Sequence, residues 1–144
     1  MYECRSAIRW SDLDAFGHVY HPVYLSYLEE ARDAWLRELL GADGAGWGYF
    51  VARVAIDYRG ELRPADGEVV ARCAPSRVGG SSLTTTEHLL AADGRLVAEA
   101  EVVIVARDPA TGRSRQLEPS ERDAFERELH IHPPTPTSTS PSAA

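Results

Sequence analysis

The sequence predicts an α+β fold in which one long helix packs on an antiparallel sheet. Three observations carry that prediction. One long stretch near the N-terminus has helical periodicity, and several alternating runs follow it, joined by short polar turns. The composition is that of an ordinary soluble globular chain, 44% hydrophobic and 26% charged over 144 residues. That length suits one domain. Hairpin connections imply antiparallel neighbours. One helix cannot cover both faces of such a sheet, so the other face or an edge is expected to meet a second subunit, giving a homo-oligomer.

Taken in order, residues 2–9 alternate weakly through Tyr2, Cys4, Ser6 and Ile8, as an edge or early strand does. A turn-like stretch follows from Ser11 to His21. Pro22 then opens the helix, because its fixed φ suits the first helical position and it pushes His21 out of the α region. Leu25, Leu28, Ala31, Trp35 and Leu39 recur at helical spacing, while Glu29, Glu30, Asp33 and Arg37 fall largely on the other side. Gly41 is placed to stop the helix. Runs over 50–59, 68–75, 81–91 and 96–107 read as strands, the last presenting Ala98, Ala100, Val102, Ile104 and Ala106 on one face. Ala92–Arg95 and Asp108–Gly112 read as turns. Ser120 with Asp123 has the spacing of a capping box and predicts a short helix over 120–130. The folded domain is expected to span 1–130. Residues 131–144 are rich in Pro, Ser and Thr and are expected to form a disordered tail.

Lys+Arg is 15 and Asp+Glu is 22, a formal charge of −7 with no basic block, which disfavours a nucleic-acid binder. No apolar run approaches the ~18 residues of a membrane span. Met1 to Trp10 carries charge and lacks an apolar core, so no signal peptide is expected. Cys4 and Cys73 lack CxxC spacing and read as unpaired small hydrophobes in a cytoplasmic protein.

Chemistry-bearing residues concentrate just before the helix, where Asp12, Asp14, Gly17, His18 and His21 follow one another closely. A helix N-terminus offers unpaired amides and the positive end of a dipole, which suits polarising a carbonyl or holding an anion. Asp14, upstream of that end, can act as base or nucleophile. Gly17 permits a close backbone approach or a positive φ. Each residue type also has an ordinary structural use. An aspartate here can simply cap a turn. His18 and His21 would need a third ligand to hold a metal, none is evident, and no metal is expected. Tyr20, Tyr24 and Tyr27 suit a core or an interface. Glu29, Glu30 and Arg32 suit a solvated helix face, and His88 a structural place in mid-strand. The Gly79-Gly80-Ser81-Ser82 turn can cradle a phosphate.

The run Trp10-Ser-Asp12-Leu-Asp14-Ala-Phe-Gly17-His18-Val-Tyr-His21-Pro-Val-Tyr24-Leu-Ser-Tyr27-Leu-Glu29-Glu-Ala-Arg32 resembles the signature of hotdog-fold acyl-CoA thioesterases of the 4-hydroxybenzoyl-CoA thioesterase type. Ala55-Ile-Asp-Tyr58 with Leu62-Arg-Pro-Ala-Asp66 extends the likeness, which covers about 1–120. The resemblance implies a long central helix wrapped by a curved antiparallel sheet of five or six strands. It also implies homodimers paired edge to edge, often assembled into homotetramers. The implied reaction is hydrolysis of an acyl thioester to a carboxylic acid and a free thiol, with coenzyme A entering only as part of the substrate. Asp14 matches the family's catalytic carboxylate, as nucleophile or general base. The His21 amide matches the donor to the thioester oxygen, and Gly17 the glycine of the approach loop.

His18 and Tyr24 are expected beside the substrate, and Tyr49 to Ala52, including Phe50, are expected to line the acyl pocket from the partner subunit. Arg77 with Ser81 and Ser82 is expected to meet the CoA phosphates. An acyl-carrier-protein thioester is the alternative substrate, including a polyketide chain, although Asp14 argues against the polyketide branch. A non-catalytic acyl-CoA-binding hotdog module is the alternative outside enzymes. The chain lacks a G-x-S-x-G elbow, consistent with a thioester carbonyl electrophilic enough to need no Ser-His-Asp triad.

Overall fold

The computed structural model describes residues 1–41 and 48–133, so residues 134–144, most of the expected tail, lie outside the described residues. The elements are β1 (Tyr2–Ala7), α1 (Val23–Leu40), β2 (Tyr49–Tyr58), β3 (Glu68–Val78), β4 (Ser82–Ala91), β5 (Leu96–Ala106) and α2 (Pro119–Ile131). Short 3-10 turns lie at Trp10–Asp12 and Pro64–Asp66. The sheet has five strands in the order β1-β3-β4-β5-β2, and every neighbouring pair is antiparallel. α1 therefore connects one edge of the sheet to the other.

The apolar stripe of α1 explains its placement. Tyr24, Tyr27, Leu28, Ala31, Trp35 and Leu36 are buried at intervals of three and four residues. They join Val69, Ala71 and Cys73 of β3, Leu89 and Ala91 of β4, and Ala98, Ala100, Val102 and Ile104 of β5 in one core. The alanines of β5 are short, which leaves room for the helix. Pro22 caps α1 with helical dihedrals, and Gly41 ends it at φ +84, with its amide bonded to the Arg37 carbonyl. β2 differs from the other strands because it is exposed along both faces. Val51, Val54 and Tyr58 share the inner side with Ile56, yet the described residues leave them uncovered.

α2 closes the far end. Phe125 is fully buried against Trp35 and Tyr49, at ring-centroid distances of 6.2 and 6.3 Å. The capping box predicted at Ser120 and Asp123 sits two residues earlier. Glu118 precedes Pro119, and its amide donates to Glu121 Oε2 at 2.8 Å. The reason is non-local: Glu121 is also held by Arg115 through two bonds (2.7 and 2.8 Å) and by the Tyr49 hydroxyl (2.6 Å), so it can serve as the cap.

Burial acts to raise the Glu121 carboxyl, but the bonds from Arg115, Tyr49 and the Glu118 amide outweigh it and hold it at about 2, against 4.5 for a free glutamate. The folded chain thus binds fewer protons at this site than the unfolded chain. The stability this contributes is complete above about pH 4.5 and is lost as pH falls through 4.5 toward 2. Glu121→Gln should lower the melting temperature at pH 7 and flatten its decline across that acid window. Parallel melting curves for variant and wild type from pH 6 to pH 3 would refute this.

Candidate active site

The stretch between β1 and α1 is a constrained loop. Leu13 and Val19 pair as an isolated antiparallel bridge, and the Asp14 amide donates to the His18 carbonyl at 2.8 Å. Gly17 closes the intervening turn at φ +78, with its amide on the Asp14 carbonyl at 3.2 Å. A Cβ there would meet nothing within 4 Å, so glycine serves the turn conformation and not a close approach. The loop is tied to its surroundings by the Val19 amide on Leu62 O and the Tyr20 amide on Asp12 O, both 2.8 Å.

The two aspartates of the loop divide the work. Asp12 is buried. Its Oδ2 accepts from the Tyr27 hydroxyl at 2.6 Å and from the Arg9 amide at 2.9 Å, with Arg9 Nε 3.5 Å from Oδ1. Burial alone would raise its carboxyl, but these partners hold it below the usual aspartate value. Asp12 is thus a fastening between loop and helix. Asp14 is half-buried. Its Oδ1 accepts from the amides of Phe16 (2.9 Å) and His18 (3.3 Å), while Oδ2 has no partner among the described residues. One carboxylate oxygen is spent on the turn and the other is available.

The amides at the start of α1 are nearly all used. Val23 donates to Tyr20 O, Tyr24 to His21 O and Leu25 to Pro22 O, at 2.9 to 3.2 Å. Pro22 has no N–H. The His21 amide makes no hydrogen bond among the described residues, so it is the donor this helix start has to offer. The His21 ring is exposed and stands edge-on to Tyr20 (centroids 5.2 Å) and Tyr58 (5.7 Å). His18 lies with Nε2 3.6 Å from Glu61 Oε2.

Other expected site residues are placed differently. Tyr24 is a core residue, 3% exposed, whose hydroxyl donates to Gly60 O and accepts from the Leu62 amide, both 3.0 Å. It braces the strand-end loop and has nothing free for a substrate. The Tyr49 hydroxyl is committed to Glu121. Phe50 is partly exposed and lines a recess of about 130 Å³ between α1 and β2, with Glu29, Arg32 and Val51. Arg77, Ser81 and Ser82 sit at the far end of β3 and the start of β4. β3 spans 11 residues, roughly 33 Å, from beside the Asp14 loop, so one chain does not bring them to Asp14. Within the turn, Gly79 and Ser82 are bonded to each other, and the Gly79 carbonyl accepts from Arg122.

Arg32 is not on a solvated face. It is 6% exposed and pairs with fully buried Glu87 at 2.8 and 2.9 Å, with Thr85 Oγ1 donating to the same carboxylate at 2.7 Å. Sequence reasoning also gave no role to Tyr58 or Glu61, although Tyr58 lies within the strand stretch that carried the resemblance. Among the described residues no three His, Cys, Asp or Glu are grouped to hold a metal ion.

A carboxylate oxygen and an unpaired amide on one rigid loop can together activate a nucleophile and stabilise an oxyanion. In sequence and fold the chain is similar to thioesterases. The chain is 29% identical over 116 residues to the acyl-CoA thioester hydrolase YbgC of Escherichia coli O157:H7 and of Shigella flexneri, covering 76% of this chain and 84% of each relative. Its fold superposes with a TM-score of 0.78 on a Thermus thermophilus thioesterase complexed with coenzyme A and zinc, at 27% identity over 89% of this chain and 93% of that one. The PA2801 protein of Pseudomonas aeruginosa, a putative thioesterase by its description, gives a TM-score of 0.76 at 28% identity, over 86% and 97% of the two chains. With residues 8–128 matching the family as a whole, the chain belongs to the thioesterase-like superfamily and carries its hotdog fold.

Proposed function

We propose that this protein hydrolyses acyl-CoA thioesters, with Asp14 as the reacting carboxylate and the His21 amide as the oxyanion donor. The observation that carries this is that one braced stretch of chain holds Asp14 Oδ2 and the His21 N–H, both without a partner among the described residues. The names of the YbgC relatives and the coenzyme A held by the Thermus protein support the substrate class.

In the reaction, the His21 amide polarises the thioester oxygen and holds the negative charge that develops as the carbonyl becomes tetrahedral. Asp14 either takes a proton from the attacking water or attacks the carbonyl itself, giving an anhydride that water then opens. The C–S bond breaks, CoA leaves as a thiol after protonation, and the acid is released.

The proposal includes a homodimer, working in the cytoplasm. β2 is an uncovered edge, and such edges recruit another strand. A two-fold antiparallel pairing of β2 with its copy places the partner's Tyr49 end beside the Tyr58 and His21 end. It also turns the partner's Arg77 and Gly79–Ser82 end of the sheet toward the site, where the CoA phosphates need cations and amides.

Asp14→Asn should keep fold and assembly and lower kcat by about 10² or more, read as free thiol released from short, medium, long and aromatic acyl-CoAs. Turnover within a few-fold of wild type would sink the assignment. A folded wild type silent on the whole CoA panel but active on the same acyl groups carried by an acyl carrier protein would move the substrate to that carrier. Silence on both would leave a binding module. For the assembly, Val54→Lys on the uncovered inner side of β2 should convert dimer to monomer at micromolar protein in sedimentation experiments. An undisturbed dimer would place the interface elsewhere.

A further inference from the structure

We propose that Tyr58, the last residue of β2, is a positioning residue that holds His21 in place for its role at the site. This rests on the assignment of the His21 amide as oxyanion donor. His21 has few constraints of its own. It precedes Pro22, its ring is exposed, and its amide is unpaired among the described residues. Its carbonyl accepts from the Tyr24 amide at 3.2 Å, and the other group bonded to that carbonyl is the Tyr58 hydroxyl, at 3.3 Å.

That hydroxyl contact is long for an O–H···O bond, so it does not act alone. The Tyr58 ring stands perpendicular to the His21 ring, with centroids 5.7 Å apart and planes at 89°, and meets Tyr24 at 5.4 Å and 61°. Tyr24 is fixed in turn by Gly60 and Leu62. His21 is therefore held from below by the helix and from the side by a ring that is itself braced. Partial burial raises the Tyr58 hydroxyl, so it stays a donor across the neutral range.

The arrangement links the uncovered edge strand to the reacting loop. Tyr58 pairs with Ala98 within the sheet, and its side chain reaches His21. Anything that orders the end of β2, including a second copy paired along it, is passed to the His21 peptide.

Two variants separate the parts. Tyr58→Phe removes only the hydroxyl, and Tyr58→Leu also removes the ring. The expected kcat losses are about threefold and about tenfold or more, with KM within about twofold, because an oxyanion donor acts in the transition state. NMR supplies a readout independent of turnover. In Tyr58→Phe the His21 carbonyl carbon should shift upfield, and in Tyr58→Leu the His21 ring protons should lose the ring-current shift of Tyr58. Melting temperature and sedimentation confirm that both variants remain folded and assembled.

Tyr58→Leu with kcat within twofold of wild type overturns the proposal. So does a loss of kcat in either variant with the His21 signals unmoved, and so does a rise in KM at constant kcat. A wild type without thioesterase turnover condemns the functional assignment instead, and the His21 signals then decide by themselves whether Tyr58 holds that residue.

Discussion

The geometry of the loop before α1 depends on a carboxylate, Asp12, whose contacts are structural. Asp12 is buried between the loop and α1, and it survives there because the Tyr27 hydroxyl and the Arg9 amide satisfy it. Its backbone carbonyl holds the Tyr20 amide, and its side chain holds the second turn of the helix. The loop from Asp12 to Tyr20 therefore has two fixed ends, with Asp14 inside that span and His21 directly after it. A hydrogen bond to a buried charge contributes roughly 1.5–3 kcal/mol, more than a surface contact can. The same energy spent on an exposed aspartate would not define where the next aspartate points.

The helix, in turn, is located by the sheet. α1 packs on β1, β3 and β4, and the small residues of β5 let it lie close. A buried ion pair adds a fixed point, because Arg32 on the helix and Glu87 on β4 have each other and Thr85 in place of water. Breaking such a pair by removing one partner costs about 3–5 kcal/mol, since the other charge stays buried. The pair is therefore better understood as a constraint on helix position than as net stabilisation. What the helix covers least is β2, which it meets through Tyr24 and Tyr58 at one end. That strand's inner side carries Val51 and Val54 beside Tyr58, residues that a finished core would cover. One face of one helix is too narrow for five strands, and the unfinished part lies next to the reacting loop.

Local order was legible in the sequence wherever the cause was local. Pro22 and Gly41 bound α1 because their φ preferences act on single residues, and the alternation of 96–107 reports β5 because pleating has a period of two. The path of the loop is legible for a similar reason, since a turn, a glycine and a proline leave few ways to thread the chain, whereas the roles expected of Asp14 and the His21 amide rest on the family resemblance. Placements that the sequence does not show share the opposite cause. Arg32 looked solvated because nothing within its own helix shows a glutamate 55 positions away. Tyr24 is a core aromatic, as its residue type suggests, but its hydroxyl partners, Gly60 and Leu62, come from a later loop and leave no local signal. Glu121 caps α2 in place of the predicted pair because Arg115 and Tyr49 arrive from other strands and loops. Arg77, Ser81 and Ser82 lie at the far end of the sheet within one chain, so any part they have at the site would come through a second subunit, and only strand order reveals that.

The sparse chemistry of the loop suits the bond it is proposed to cut. A thioester carbonyl is poorly stabilised by its sulfur and is already electrophilic, so no strongly activated serine is needed. What hydrolysis does require is an oriented base or nucleophile and a donor aimed at the developing oxyanion. A donor that folding has left without an internal partner is suited to that task, because no protein bond has to break before it acts. The Val23, Tyr24 and Leu25 amides are spent closing the first helical turn, and Pro22 has no amide to give. The helix start thus narrows to one donor, His21, and the turn at Gly17 narrows the acceptor to one oxygen of Asp14. In the proposed reaction neither group would touch more than the reacting carbon and its oxygen, so selectivity for the acyl group would have to come from elsewhere. The uncovered side of β2 is where the chain still has apolar surface to offer it.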